Sequence, residues 1–319
     1  MKINPMKKLF LLIAFLPLFS IGQPTKKVLL IGMDGCRADA LSLANTPNID
    51  NLINTSVFSF DALNDDITIS GPGWSSILCG VWSDKHLVVD NSFSGNNYFN
   101  FPPIFKYIND FNSNLETVSI CHWGPINDYI VQNFADYKLT VDSDSEVSSE
   151  ACNYLAENNP DFMFLHFDEI DDAGHTYGFS PDIPEYISAI EEVDSKIEPI
   201  MQTILARPDY TNEDWIILLT TDHGGINTSH GGNSLQEKNV FVIASKNNLA
   251  QNCIQKDSAF VDESVYNCLE DTIELQFDGT DDFVEIPNNP ILNFGLNQDF
   301  TIECRVKTST AGDFSIIGN

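Results

Sequence analysis

A chain of 319 residues with 43 % hydrophobic side chains can fill one large domain with a sizeable core and still leave a smaller second unit. Its 16 basic and 46 acidic residues give a formal charge of −30, a field that repels nucleic acid and anionic membranes and excludes both as expected partners. Such a charge suits a soluble protein in salty surroundings and does not define a fold.

The N-terminus reads as an export signal. Lys2, Lys7 and Lys8 precede the apolar run Leu9 to Phe19, and Ser20-Ile21-Gly22 supplies small residues for cleavage before Gln23. That run is too short for a good membrane span, so residues 1–22 are expected to be removed from a secreted, periplasmic or cell-surface protein without a transmembrane segment. Removal leaves 13 basic and 46 acidic residues, a charge of −33. Seven cysteines, at 36, 79, 121, 152, 253, 268 and 304, permit disulfides in that compartment. None has CxxC spacing, and Cys253 and Cys268, which bracket a polar segment, are the expected pair.

Lys27 to Met33 is a short apolar run, as expected of a strand buried on both faces of a parallel sheet, and it ends at Asp34-Gly35. Asn45 to Ile53 predicts a short capped helix with Pro47 in its first turn, and Val57 to Phe60 a strand. Ser70-Gly71-Pro72-Gly73-Trp74 places a serine at a turn leading into a helix of small residues. A strand over Glu116–Trp123 and an amphipathic helix over Glu146–Glu157 follow. The strand Asp161–Phe167 runs into the polar segment Asp168 to His175, and Ile183 to Ala206 has helical periodicity. Trp215 to Leu219 is one more buried strand, delivering Asp222, His223 and His230 between glycines, and Val240 to Ala244 another. Strands alternating with helices predict a doubly wound α/β sheet.

The composition shifts after about Cys268. Ile273 to Pro287 and Phe300 to Val306 alternate apolar with polar residues around an Asp278-Gly279 turn, the pattern of half-buried antiparallel strands.

Three strand ends thus deliver Asp34; Asp171 with His175; and Asp222, His223 and His230. Six nitrogen and oxygen donors suit two divalent ions, with zinc first and manganese also possible. Met33-Asp34-Gly35, the serine turn at 70, Asp171-x-x-x-His175, Asp222-His223-Gly224 and His230-Gly231, in that order, resemble the alkaline phosphatase superfamily, closest to its nucleotide pyrophosphatase/phosphodiesterase and sulfatase-like branches. The resemblance covers about residues 27–245 and implies an alkaline-phosphatase-like domain over 23–268.

It implies that Asp34, Asp222 and His223 hold one metal with the oxygen of Ser70, and that Asp171, His175 and His230 hold the other. Ser70 is then the nucleophile, forming a covalent phosphoserine that water hydrolyses; Thr68 is the alternative nucleophile. Gly73 and Trp74 stand where sulfatases of the superfamily carry serine and arginine, which disfavours a sulfate ester. The amide that diesterases carry near the position of Gly73 is missing, and Asn91 is expected to supply it, while Trp74 and Phe93 are candidates to line a leaving-group pocket. The basic residues nearest Ser70 in sequence are Arg37 and Lys85, which favours a phosphodiester or nucleotide-type substrate over a monoester. The segment from 269 to 319 resembles the start of a laminin-G/concanavalin-A-like jelly roll, implying a binding module for an extracellular glycan or protein. Asp278, Asp281 and Asp282 there offer carboxylates for calcium, and turn chemistry explains them as well. The rival reading is an adhesion or glycan-binding protein that uses the phosphatase-like domain only as a scaffold.

Overall fold

Apolar runs flanked by polar residues become the strands of one sheet: β1 (Thr25–Met33), β2 (Ser56–Leu63), β3 (Thr117–Cys121), β4 (Tyr137–Thr140), β5 (Phe162–Phe167), β6 (Glu213–Thr220), β7 (Asn239–Lys246) and β8 (Asn252–Cys253). The computed structural model describes residues 24–65 and 67–255. The expected export signal, the jelly-roll segment with its candidate calcium ligands, and Cys268 all lie outside these residues. Cys253 is disulfide-bonded.

The strand order is β4-β3-β5-β1-β6-β7-β2-β8. β1 pairs in parallel with β5 and β6, and β3 in parallel with β5 and β4. β7, expected only as one more strand, runs antiparallel to both β6 and β2. A parallel return needs a long crossover. Residues 221–238 instead form the loop that carries Asp222, His223 and His230 and a single helical turn, Leu235–Lys238, so the chain re-enters the sheet from the edge it left.

Side chains of β1 and β5 alternate between two cores, which is why both strands read as continuous apolar runs. Leu29, Ile31, Met33, Met163, Leu165 and Phe167 face one core, and Leu30, Phe162 and Phe164 face the other. The first core is closed by the helices Asp144–Glu157 and Pro184–Leu205. The second is closed by Ser70–Cys79 and Ile104–Phe111 together with the π-helical turn Ile126–Val131. On Pro184–Leu205 the buried Tyr186, Ile190, Val193, Ile197, Ile200 and Ile204 alternate spacings of four and three, one stripe of an amphipathic helix. Each contributes on the order of 1.5–3 kcal/mol by burial.

The helix predicted at 45–53 is Pro47–Ile53, and Thr46 at its N-cap makes no side-chain capping bond. Asp194 of the long helix supplies the cap instead, accepting the Ile49 amide at 2.8 Å and the Asn48 amide at 3.3 Å. Register places Gly32 beside both His166 and Thr220, so the chain leaves β1, β5 and β6 at one edge of the sheet, where ligands bind in open α/β folds.

Candidate metal centre

Each expected ligand leaves the sheet at that edge. Asp34 follows the last residue of β1, its amide still bonded to the Phe167 carbonyl of β5 at 2.9 Å. Gly35 then turns the chain with φ +63°, a conformation glycine adopts without a steric penalty. The loops after β1 and β6 are tied together. The Gly35 amide donates to Asp222 Oδ1 at 3.3 Å, and the Cys36 amide to Thr221 Oγ1 at 3.1 Å. Asp171 and His175 lie on the helix Glu169–Tyr177, where a spacing of four puts them on one face.

The three imidazoles share one arrangement. Nδ1 lies 2.9 Å from the Gly224 carbonyl in His223, 3.0 Å from that of Thr228 in His175 and 2.8 Å from that of Thr68 in His230. A carbonyl only accepts, so it holds a proton on Nδ1 and leaves Nε2 turned inward as the metal-binding atom. Nε2 of His175 and Nε2 of His230 stand 3.1 Å apart, close to the roughly 3.3 Å between two nitrogens bound tetrahedrally to zinc at about 2.0–2.1 Å.

Among the described residues, three buried carboxylate oxygens have no hydrogen-bond partner: Asp34 Oδ1, Asp171 Oδ1 and Asp222 Oδ2. All three belong to the expected ligand set. Leaving such atoms bare inside a protein costs several kcal/mol each unless a cation meets them. Burial, and then the charges of Asp222 and Asp171, pushes the Asp34 carboxyl well above its usual range, and burial with Asp171 does the same to Asp222. Burial also pushes Asp171 up, but the hydrogen bond from His175 and the imidazoles of His223 and His230 outweigh it and bring its pKa down.

Donor atoms of Asp171, His175 and His230 lie within 4.8 Å of one another, as do those of Asp34, Asp171 and His223. Nε2 of His223 is also 3.3 Å from Asp222 Oδ2. The six expected ligands therefore converge and fit divalent cations, with Asp171 placed between the two sets rather than in one alone.

Ser70 opens the helix Ser70–Cys79 and is buried, with Oγ 3.4 Å from His223 Nε2. Thr68, the alternative nucleophile, is engaged elsewhere: its hydroxyl donates to the Gly232 carbonyl at 2.8 Å and accepts the Gly231 amide at 3.0 Å. Asn91 Oδ1 accepts the Gly71 amide at 2.7 Å, which holds its amide nitrogen beside the serine turn. Trp74 does not line a pocket. It is 0 % exposed and donates from Nε1 to Asp34 Oδ2 at 2.7 Å. Phe93, the other aromatic expected there, is also buried, stacked on the half-exposed Tyr129 at 4.9 Å.

The sequence matches the Type I phosphodiesterase / nucleotide pyrophosphatase family over residues 28–103 and 110–285. The chain belongs to this family. The match runs on into the segment expected to open the second module. Among relatives, human bis(5'-adenosyl)-triphosphatase ENPP4 is 28 % identical over 218 residues, 62 % of this chain and 47 % of that protein. The chain thus spans about half the length of the curated relatives it matches. Among solved structures, an inactive form of murine ectonucleotide pyrophosphatase / phosphodiesterase 5 in complex with AMP superposes with a TM-score of 0.51 at 23 % identity, covering 62 % of this chain and 57 % of that one. A putative sulfatase from Bacteroides thetaiotaomicron superposes with a TM-score of 0.58 at 15 % identity, covering 72 % of this chain and 66 % of that one. These structural likenesses speak to the fold alone.

Within the phosphodiesterase family framework, His166 on β5 is a residue the sequence did not single out. Its Nε2 lies 3.0 Å from Asp34 Oδ2. A lone histidine inside the run Phe162–Phe167 carries no pattern that separates it from a core residue. The nearest basic residues in sequence have partners of their own. The Arg37 guanidinium bonds Asp39 and the carbonyls of Phe179 and Gly225, and Lys85 pairs with Asp84.

Proposed function

We propose that the chain hydrolyses phosphodiesters of nucleotide type with Ser70 as nucleophile. The observation that carries this is the convergence of three unpartnered carboxylate oxygens and the inward Nε2 atoms on one another, with His223 Nε2 3.4 Å from Ser70 Oγ. A scaffold used only for adhesion has no physical need for such a cluster. Asp34, Asp222, His223 and Ser70 would hold one divalent cation and Asp171, His175 and His230 a second, with Asp171 able to serve both. When bound, the ions favour the alkoxide form of the serine and stabilise charge on the phosphoryl oxygens.

Ser70 Oγ forms the new bond to phosphorus as the bond from phosphorus to the leaving-group oxygen breaks. Water then cleaves the resulting serine-linked diester, releasing the phosphate monoester and restoring the hydroxyl, and two inversions give net retention. The Asn91 amide nitrogen, held beside the serine by the bond to Gly71, donates to a phosphoryl oxygen. Arg37 and Lys85 both have partners elsewhere, which leaves the second negative charge of a monoester without either of them and favours a diester. The ring of Tyr129, 48 % exposed and stacked on Phe93, offers a planar leaving group an aromatic surface near the serine turn. The basic and apolar N-terminal segment supports export, and among the described residues no helix is long and apolar enough to cross a membrane.

Zinc-loaded protein should hydrolyse bis-p-nitrophenyl phosphate faster than p-nitrophenyl phosphate and leave p-nitrophenyl sulfate intact. Faster turnover of the monoester overturns the substrate class; no turnover of either phosphate ester overturns the activity.

A further inference from the structure

Asp34 is held in an asymmetric way. Trp74 Nε1 donates to its Oδ2 at 2.7 Å, and His166 Nε2 approaches the same oxygen at 3.0 Å. The Trp123 amide donates to His166 Nδ1 at 3.4 Å, so the ring proton sits on Nε2 and His166 is also a donor to Asp34. Oδ1 receives no hydrogen bond and lies 3.6 Å from His223 Nε2. Two donors recruited only to satisfy a buried carboxylate would be better spread over both oxygens. Here both are spent on one, and the other is left bare.

The surroundings fix this arrangement. Trp74 and His166 are wholly buried and meet edge to face at 4.9 Å. The indole lies over Gly32, where an added Cβ would run into its ring, and Gly32 is the register partner of His166 on β5.

We propose that Trp74 and His166 are positioning residues that lock the Asp34 carboxylate so that Oδ1 alone is offered to the cation shared with Asp222 and His223. This inference rests on the two-ion reading above, but its test reads metal affinity rather than turnover. Trp74→Phe keeps the ring and loses the donor. His166→Gln carries an amide N–H to about the reach of Nε2, whereas His166→Asn stops short of it.

Zinc stoichiometry and affinity of the whole chain would be measured against a chromophoric chelator, with circular dichroism to establish folding. Trp74→Phe and His166→Asn should each weaken one of the two zinc sites by roughly 10–100-fold while the other stays within twofold. His166→Gln should restore most of the loss. Folded variants that bind both ions as tightly as the wild type, equal weakening of both sites, or a Gln variant no better than Asn would overturn the inference. If Trp74→Phe fails to fold, the Gln and Asn pair decides alone. A wild-type chain that binds two zinc ions yet hydrolyses no phosphate ester would sink the proposed activity and leave this inference standing.

Discussion

His175 and His230 face each other through nitrogens that both turn away from their carbonyl partners, with Nε2 to Nε2 at 3.1 Å. Two lone pairs at that distance repel unless a proton or a cation lies between them. The hydrogen bond to Asp171 pushes His175 up to about 9, and burial lowers His230 to about 4. At neutral pH without metal, the proton therefore resides on His175.

A folded-state pKa above the unfolded value means that the proton stabilises the metal-free fold below the unfolded pKa of about 6.5, and that this stabilisation is lost as pH rises through 9. Metal must expel that proton, so zinc affinity should rise about tenfold per pH unit between roughly pH 6 and 8. Titration calorimetry in two buffers of different ionisation enthalpy should show net proton release; affinity independent of pH would contradict it.

Ser70 and Thr68 are separable by mutation. Ser70→Ala should lower kcat by roughly 10³-fold or more while the site of Asp171, His175 and His230 keeps its affinity. Thr68→Val removes the hydroxyl that bridges Gly231 and Gly232 and should cost about 1–3 kcal/mol of stability with a smaller effect on kcat. Single-turnover kinetics and thermal melts of both variants check the assignment, and the reverse pattern would make Thr68 the nucleophile.

Two glycines are spacers for the ligands. A Cβ on Gly73 would stand 2.8 Å from Asp222 Cβ, and one on Gly35, already at positive φ, would stand 2.9 Å from Asp171 Cβ. Gly73→Ala and Gly35→Ala should each destabilise by about 1–3 kcal/mol and should lower zinc affinity, the first through Asp222 and the second through Asp171. Denaturant unfolding alongside metal titration tests both. The contact at Gly73 also explains why a longer side chain is absent there: Asp222 occupies its space.

Lys27 tests the frame away from the centre. It is 1 % exposed, and Nζ meets Asp161 Oδ1 at 2.8 Å and the Asn159 carbonyl at 3.1 Å. Asp161→Ala leaves that ammonium buried without its counter-charge and should cost about 3–5 kcal/mol in urea unfolding. Metal stoichiometry in the surviving folded fraction should remain that of the wild type.

The sequence exposed the candidate ligands because buried apolar runs stop abruptly at polar residues, and that boundary marks the sheet edge at Asp34, at Asp222 and at the segment leading to Asp171. It also distinguished the first core from its solvent face along Pro184–Leu205, through unbroken periodicity. What it hid depends on contacts distant in the chain. His166 and Trp74 act through a carboxylate far away in sequence, and each looks like ordinary core filling by itself. Asp194 caps a helix with which it shares no local pattern. The antiparallel direction of β7 depends on where the loop from 221 to 234 spends its length, which periodicity does not encode.

The most direct measurement is a zinc-anomalous difference map from crystals of the full chain grown with zinc. Two peaks are expected, one within coordination distance of Asp34, Asp222, His223 and Ser70 Oγ and the other within that of Asp171, His175 and His230. A single peak, or peaks that leave Ser70 outside coordination distance, would contradict the two-ion centre built around this serine.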